Sequence, residues 1–128
     1  MNDQHVASYL LAKPCTSLDY PFGPDVRVFR LDGKMFALLS LVPLKYSQSD
    51  GPRHWWLNLK CEPHEALLLR ELFAAVLPAY HMNKAHWNSV ILDASVPDGE
   101  LRRMMDNSYQ LVLASLPKKR QAAINLHL

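Results

Sequence analysis

Apolar residues recur along this chain with two different periods, and the switches between them mark its elements. From Asp3 to Lys13, Val6, Tyr9 and Leu10 keep helical spacing; Asp3 can cap the start and Pro14 ends the run. Asp19 to Asp25 reads DYPFGPD, whose prolines and glycine break any period, so an ordered loop anchored by two aromatics is expected. Val26 to Leu31 and Lys34 to Val42 are rich in β-branched, aromatic and aliphatic residues. They are separated by Asp32-Gly33, the pair that favours a type I′ hairpin. Pro43 to Arg53 has little apolar content and predicts an exposed connection.

His54 to Cys61 alternates, with Trp55, Leu57, Leu59 and Cys61 directed to the core and Trp56, Asn58 and Lys60 to the other face, toward water. Pro63 opens a helix to Phe73 with Leu68, Leu69, Leu72 and Phe73 as its apolar stripe and His64, Glu65, Arg70 and Glu71 outside. Two extended pieces follow, one ending near Tyr80 and one spanning Trp87 to Leu92, joined by His81-Met82-Asn83-Lys84. Ser95 and Asp98 can form a capping box for a helix that keeps Leu101, Met104, Met105, Leu111 and Val112 in register up to Leu116. Pro117 restarts a short basic helix ending at Leu126. This order excludes regular βαβ alternation and gives an α+β fold, one domain over residues 1–128, with helices on one face of a mostly antiparallel sheet.

Composition narrows the class. With 128 residues, 49% hydrophobic and 20% charged, the chain is of globular make-up. Met35 to Leu44, the longest nearly uncharged apolar stretch, is about half a membrane span, and no basic-then-apolar leader opens the chain, so neither a membrane span nor a secretory signal is expected. A net charge of +2 is far from the surplus of proteins that coat nucleic acid, so any DNA role rests on local placement. Cys15 and Cys61 match no CxxC or zinc spacing and are expected to be reduced thiols in a cytoplasmic protein.

The motifs GxGxxG, GxxxxGK[ST], HExxH, GxSxG and the EF-hand loop are all missing from the sequence. His81 and His86, five apart, share a face of neither helix nor strand, so no metal site is expected, and no cofactor. Cys61 has His64 three residues away but falls on the core face, where a thiol is inert. The cluster His81, Asn83, Lys84, His86, Trp87, Asn88 is denser in hydrogen-bonding groups than a plain turn requires. It reads equally as a recognition surface or as local structure, with Trp87 in the core and the asparagines satisfying turn backbone. Trp56 with Lys60 offers an aromatic platform beside a cation, unless Trp56 is buried; Lys118 to Arg120 reads as a solvated helix face.

PFGPDVRVFRLDGKMFALLSL (residues 21–41), NLKCEP (58–63), PAYHMNKAHWNSVILDASVPD (78–98) and SYQLVLASLPKK (108–119) resemble the MmcQ/YjbR family of small bacterial proteins, most specifically in HMNKAHWNSV. The resemblance implies a frataxin-like (CyaY-like) fold, a cytoplasmic location and DNA binding through a double-wing arrangement of strands. Cys15 stands where such sequences usually have Gly after Lys-Pro, and the 43–53 loop is long. Frataxins handle iron through an acidic first helix and edge strand; here that helix offers Asp3 alone, with Asp19 and Asp25 flanking a loop, so iron handling is disfavoured. The leading expectation is a non-catalytic DNA-binding module contacting phosphates through Arg27, Lys60, His81, Asn83, Lys84 and Asn88. The alternative is a protein-interaction domain without nucleic acid, and catalysis ranks behind both.

Overall fold

Asp32 and Gly33 have φ of +51° and +81°, the two left-handed residues that a type I′ turn demands, and they join β2 (Val26–Leu31) to β3 (Lys34–Leu41) with Leu31 facing Lys34. In the computed structural model, which describes residues 1–42, 53–79 and 82–128, this hairpin is the centre from which the sheet grows. β4 (Trp55–Lys60) pairs with β3, β6 (Trp87–Ile91) with β4, β5 (Val76–Pro78) with β6 at one edge, and β1 (Thr16–Asp19) with β2 at the other. Every neighbouring pair is antiparallel. The sequence pattern misses β1, because a half-exposed four-residue edge strand with Leu18 as its one aliphatic residue carries no alternation to detect. The 43–53 loop of the sequence reading lies, apart from Arg53, outside the described residues.

Four helices cover one face: α1 (Asp3–Leu11), α2 (Pro63–Leu72), α3 (Asp98–Ser115) and α4 (Lys118–Asn125). Val6 and Leu10, Leu69, Met105 and Tyr109, and Ile124 bring all four into one cluster with Phe29, Leu39, Leu57, Leu59 and Val90. At its centre Phe36 and Tyr109 meet edge to face, 5.4 Å between ring centres.

The caps differ from the sequence reading at two ends. Asn2, not Asp3, caps α1: its Oδ1 accepts from His5 N–H at 2.8 Å, which leaves Asp3 free to pair with Arg27. The Ser95–Asp98 capping box does not form, because Ser95 donates both its N–H and its hydroxyl to Asp93 Oδ1 and Pro97 stands at the cap; Asp98 instead accepts from the Met1 amine at 2.7 Å. At α2, the Glu62 carboxylate accepts from the N–H groups of His64 and Glu65, both at 3.1 Å, and those two bonds hold its pKa below the ordinary carboxylate value.

The stripe of α2 also differs. Ala66 and Leu69 are buried, whereas Leu68 and Leu72 are 51% and 63% exposed and Arg70 turns inward. The helix lies against β5 at the sheet edge, so its footprint is a single narrow row rather than a broad face. The second face of the sheet is buried at β4, contrary to the open face expected there: Trp56 and Asn58 are each 6% exposed. Asn58 keeps its polar groups satisfied, accepting from Ser89 Oγ at 2.5 Å and donating to the Met82 sulphur at 3.5 Å.

Ser108 of α3 has a role that no local pattern signals. Lys60 N–H donates to its Oγ at 2.9 Å, and the hydroxyl donates to the Phe36 carbonyl at 2.5 Å. A fully buried hydroxyl thereby completes the ladder at the end of β4.

Candidate nucleic-acid interface

The end of the sheet where β4 finishes and β6 begins gathers part of the polar cluster. Lys60 faces Trp87 across the β4–β6 pair, and Cys61 N–H donates to the His86 carbonyl at 2.8 Å, so the connection before β6 is fastened to the end of β4. Within that connection Asn83 makes a closed turn: its Oδ1 accepts from Ala85 N–H at 3.0 Å and its carbonyl from His86 N–H at 3.1 Å. Asn83, Lys84 and His86 are exposed, and Trp87 and Lys60 are half-buried. The ammonium groups of Lys60 and Lys84 make no hydrogen bond or ion pair among the described residues.

The other candidates lie elsewhere. Arg27 sits on the helix-covered face, in register with Leu39, Leu57 and Val90; its guanidinium pairs with Asp3 at 3.0 Å and stacks over Trp55 at 5.0 Å, so its charge is already engaged. Asn88 is 2% exposed and belongs to the interior, accepting from Arg70 Nε at 2.7 Å and donating to the Ala66 carbonyl at 3.3 Å. It is removed as a surface contact because the β6 alternation points it at α2. His81 lies outside the described residues. Lys60 and the Asn83–Lys84 turn thus lie at one end of the sheet, while Arg27 and Asn88 do not join them.

Arg70 is the residue that sequence reasoning missed. Besides its bond to Asn88, its Nη2 donates to the Lys84 carbonyl and to the Trp87 carbonyl at 3.4 Å. Its place beside the buried Leu69 was the one available signal, since an arginine next to a core row can reach inward with its long stem.

A small cavity between β4, α2 and α3, lined by Cys61, Leu69, Asn88, Met104 and Asn107 among others, has room for about one water molecule. Burial, then the charges of Glu65 and Glu62, push the Cys61 thiol up to about 11, which keeps it protonated and weakly nucleophilic at neutral pH. Among the described residues no three His, Cys, Asp or Glu side chains gather to hold a metal ion, and no helix is long and apolar enough to cross a membrane.

A six-stranded antiparallel sheet with four helices on one face, and a tied polar connection at the β4–β6 end, defines a small single-domain α+β protein class. The chain belongs to the YjbR family, whose family model matches residues 11–111. It is 34% identical over 114 residues to YbdF of Escherichia coli O157:H7, covering 89% of this chain and 86% of that protein. It is 30% identical over 121 residues to YjbR of Escherichia coli strain K12, covering 94% and 95%. Among solved structures, a crystal structure of a Pseudomonas syringae protein superposes with a TM-score of 0.77 at 34% identity, covering 87% of this chain and 98% of that one. The DUF419 protein DR2400 of Deinococcus radiodurans superposes with a TM-score of 0.81 at 26% identity, covering 97% and 88%.

Proposed function

We propose that this protein is a non-catalytic DNA-binding module that contacts backbone phosphates at the Lys60–Lys84 end of its sheet. The observation that carries this reading is the placement at one sheet end of two ammonium groups, Lys60 and Lys84, with no partner among the described residues, when Lys13, Arg27, Arg30, Arg103 and Arg120 are held in internal ion pairs. Cations without an internal partner are the ones free to release counterions from a phosphate backbone. The double-wing arrangement of strands implied by the family resemblance points the same way, and two free cysteines suit a reducing cytoplasm. Few contacts of this kind give modest affinity with little sequence choice. Fluorescence titration against duplex and single-stranded DNA at two salt concentrations tests the reading; it requires binding that weakens as salt rises.

A second reading, a protein-interaction domain, draws on Leu67, Leu68 and Leu72, which leave an apolar strip of α2 in water. Flat, negligible DNA binding at low salt would favour it.

A further inference from the structure

Arg70 ties the DNA-contacting turn to α2. Its Nε donates to Asn88 Oδ1 at 2.7 Å, while Nη2 donates to the carbonyls of Lys84 and Trp87. Asn88 is itself turned by its bond to the Ala66 carbonyl at 3.3 Å, one turn earlier on the same helix. One guanidinium therefore fastens both ends of the Lys84–Trp87 segment. Its planar fork lets one side chain serve an amide and two carbonyls at once, which a point-like ammonium does not reproduce. Fixing the Lys84 carbonyl also fixes the direction in which the Cα–Cβ bond of Lys84 leaves the turn.

We infer that Arg70 is a positioning residue for phosphate contact, holding Lys84 in place without itself touching the nucleic acid. The inference rests on the DNA-binding reading of the Lys60–Lys84 end. It is specific about mechanism: Arg70 acts through backbone carbonyls, so its effect on affinity passes through Lys84.

Arg70→Lys is the informative variant, since it keeps the positive charge and removes the fork. Two measurements on the full chain decide. In hydrogen exchange followed by NMR, the Ala85 and His86 amides, which close the Asn83 turn, exchange about tenfold faster in Arg70→Lys, while the β3–β4 ladder keeps its protection. In duplex DNA titration, Arg70→Lys and Lys84→Ala each weaken binding about two- to fivefold, and the double variant binds no more weakly than Lys84→Ala alone, because a turn without its ammonium has nothing left to position. Additive losses in the double variant, wild-type affinity in Arg70→Lys, or unchanged exchange at Ala85 and His86 would each overturn the inference alone. Wild-type affinity in Lys84→Ala would overturn the DNA reading of this end and the inference with it.

Discussion

Replacing Cys15 by glycine should make the protein more stable. Lys13 to Thr16 forms a turn closed by the Thr16 N–H donating to the Lys13 carbonyl at 3.3 Å, with Pro14 second and Cys15 third. Proline second and a left-handed third residue is the type II pattern, and Cys15 has φ of +62°. For an L-residue that conformation costs roughly 1–2 kcal/mol, which glycine does not incur, whereas glycine's freer unfolded chain returns about 0.4–1 kcal/mol. Because Cys15 is exposed, no packing offsets the difference, and the net gain is about 0.5–1 kcal/mol. For a chain of 128 residues this raises Tm by roughly 2–4 °C. Thermal melts of wild type, Cys15→Gly and Cys15→Ala decide. Alanine keeps the strained φ and should melt with wild type, so equal gains in both variants, or none in glycine, would refute the argument.

Further tests bear on other parts of the molecule. Ser108→Ala strips the hydroxyl that serves Lys60 N–H and the Phe36 carbonyl, and should destabilise by about 1–3 kcal/mol in urea unfolding; a change below about 0.5 kcal/mol would contradict the bridging role. Asn83→Ala loses the side-chain bond to Ala85 N–H and should cost about 0.5–1.5 kcal/mol in the same assay, whereas Lys84→Ala should leave the melt unaltered. Cys61 should react with a thiol reagent far more slowly than exposed Cys15, and faster labelling of Cys61 would refute its burial. The Cys61 pKa is raised from 9.0 to about 11, so its stabilising contribution is whole below pH 9 and lost as pH climbs to 11. Tm should therefore fall less steeply across that window in Cys61→Ala than in wild type.

The hairpin was legible because Asp32-Gly33 encodes its own backbone angles, and the β4 core row because alternation needs no partner to be seen. Other features depend on residues distant in sequence. Asn88 is open to a surface contact or a turn bond on sequence alone; the packing of β6 beneath α2 gives it Arg70 and Ala66 as partners instead. Nothing local marks Ser108, since its partners Lys60 and Phe36 lie 48 and 72 residues away. The α2 stripe is narrower than its periodicity predicts, because periodicity gives the apolar positions of a helix but not the width of what it packs on; at the sheet edge, β5 covers one row. Of the candidate site, the placement of Lys60 opposite Trp87, at the sheet end where the Asn83–His86 turn is fastened, follows from β4–β6 register, which no local pattern specifies.

The most direct test of the DNA-binding account is the salt dependence of duplex binding in wild type against the Lys60→Ala/Lys84→Ala double variant. If both ammonium groups contact phosphates, the slope of log Kobs against log salt becomes shallower by about 1.8, two phosphate equivalents, on a protein with an unaltered melting curve. An unchanged slope in the double variant, with wild-type affinity, would contradict the assignment of this sheet end to nucleic acid.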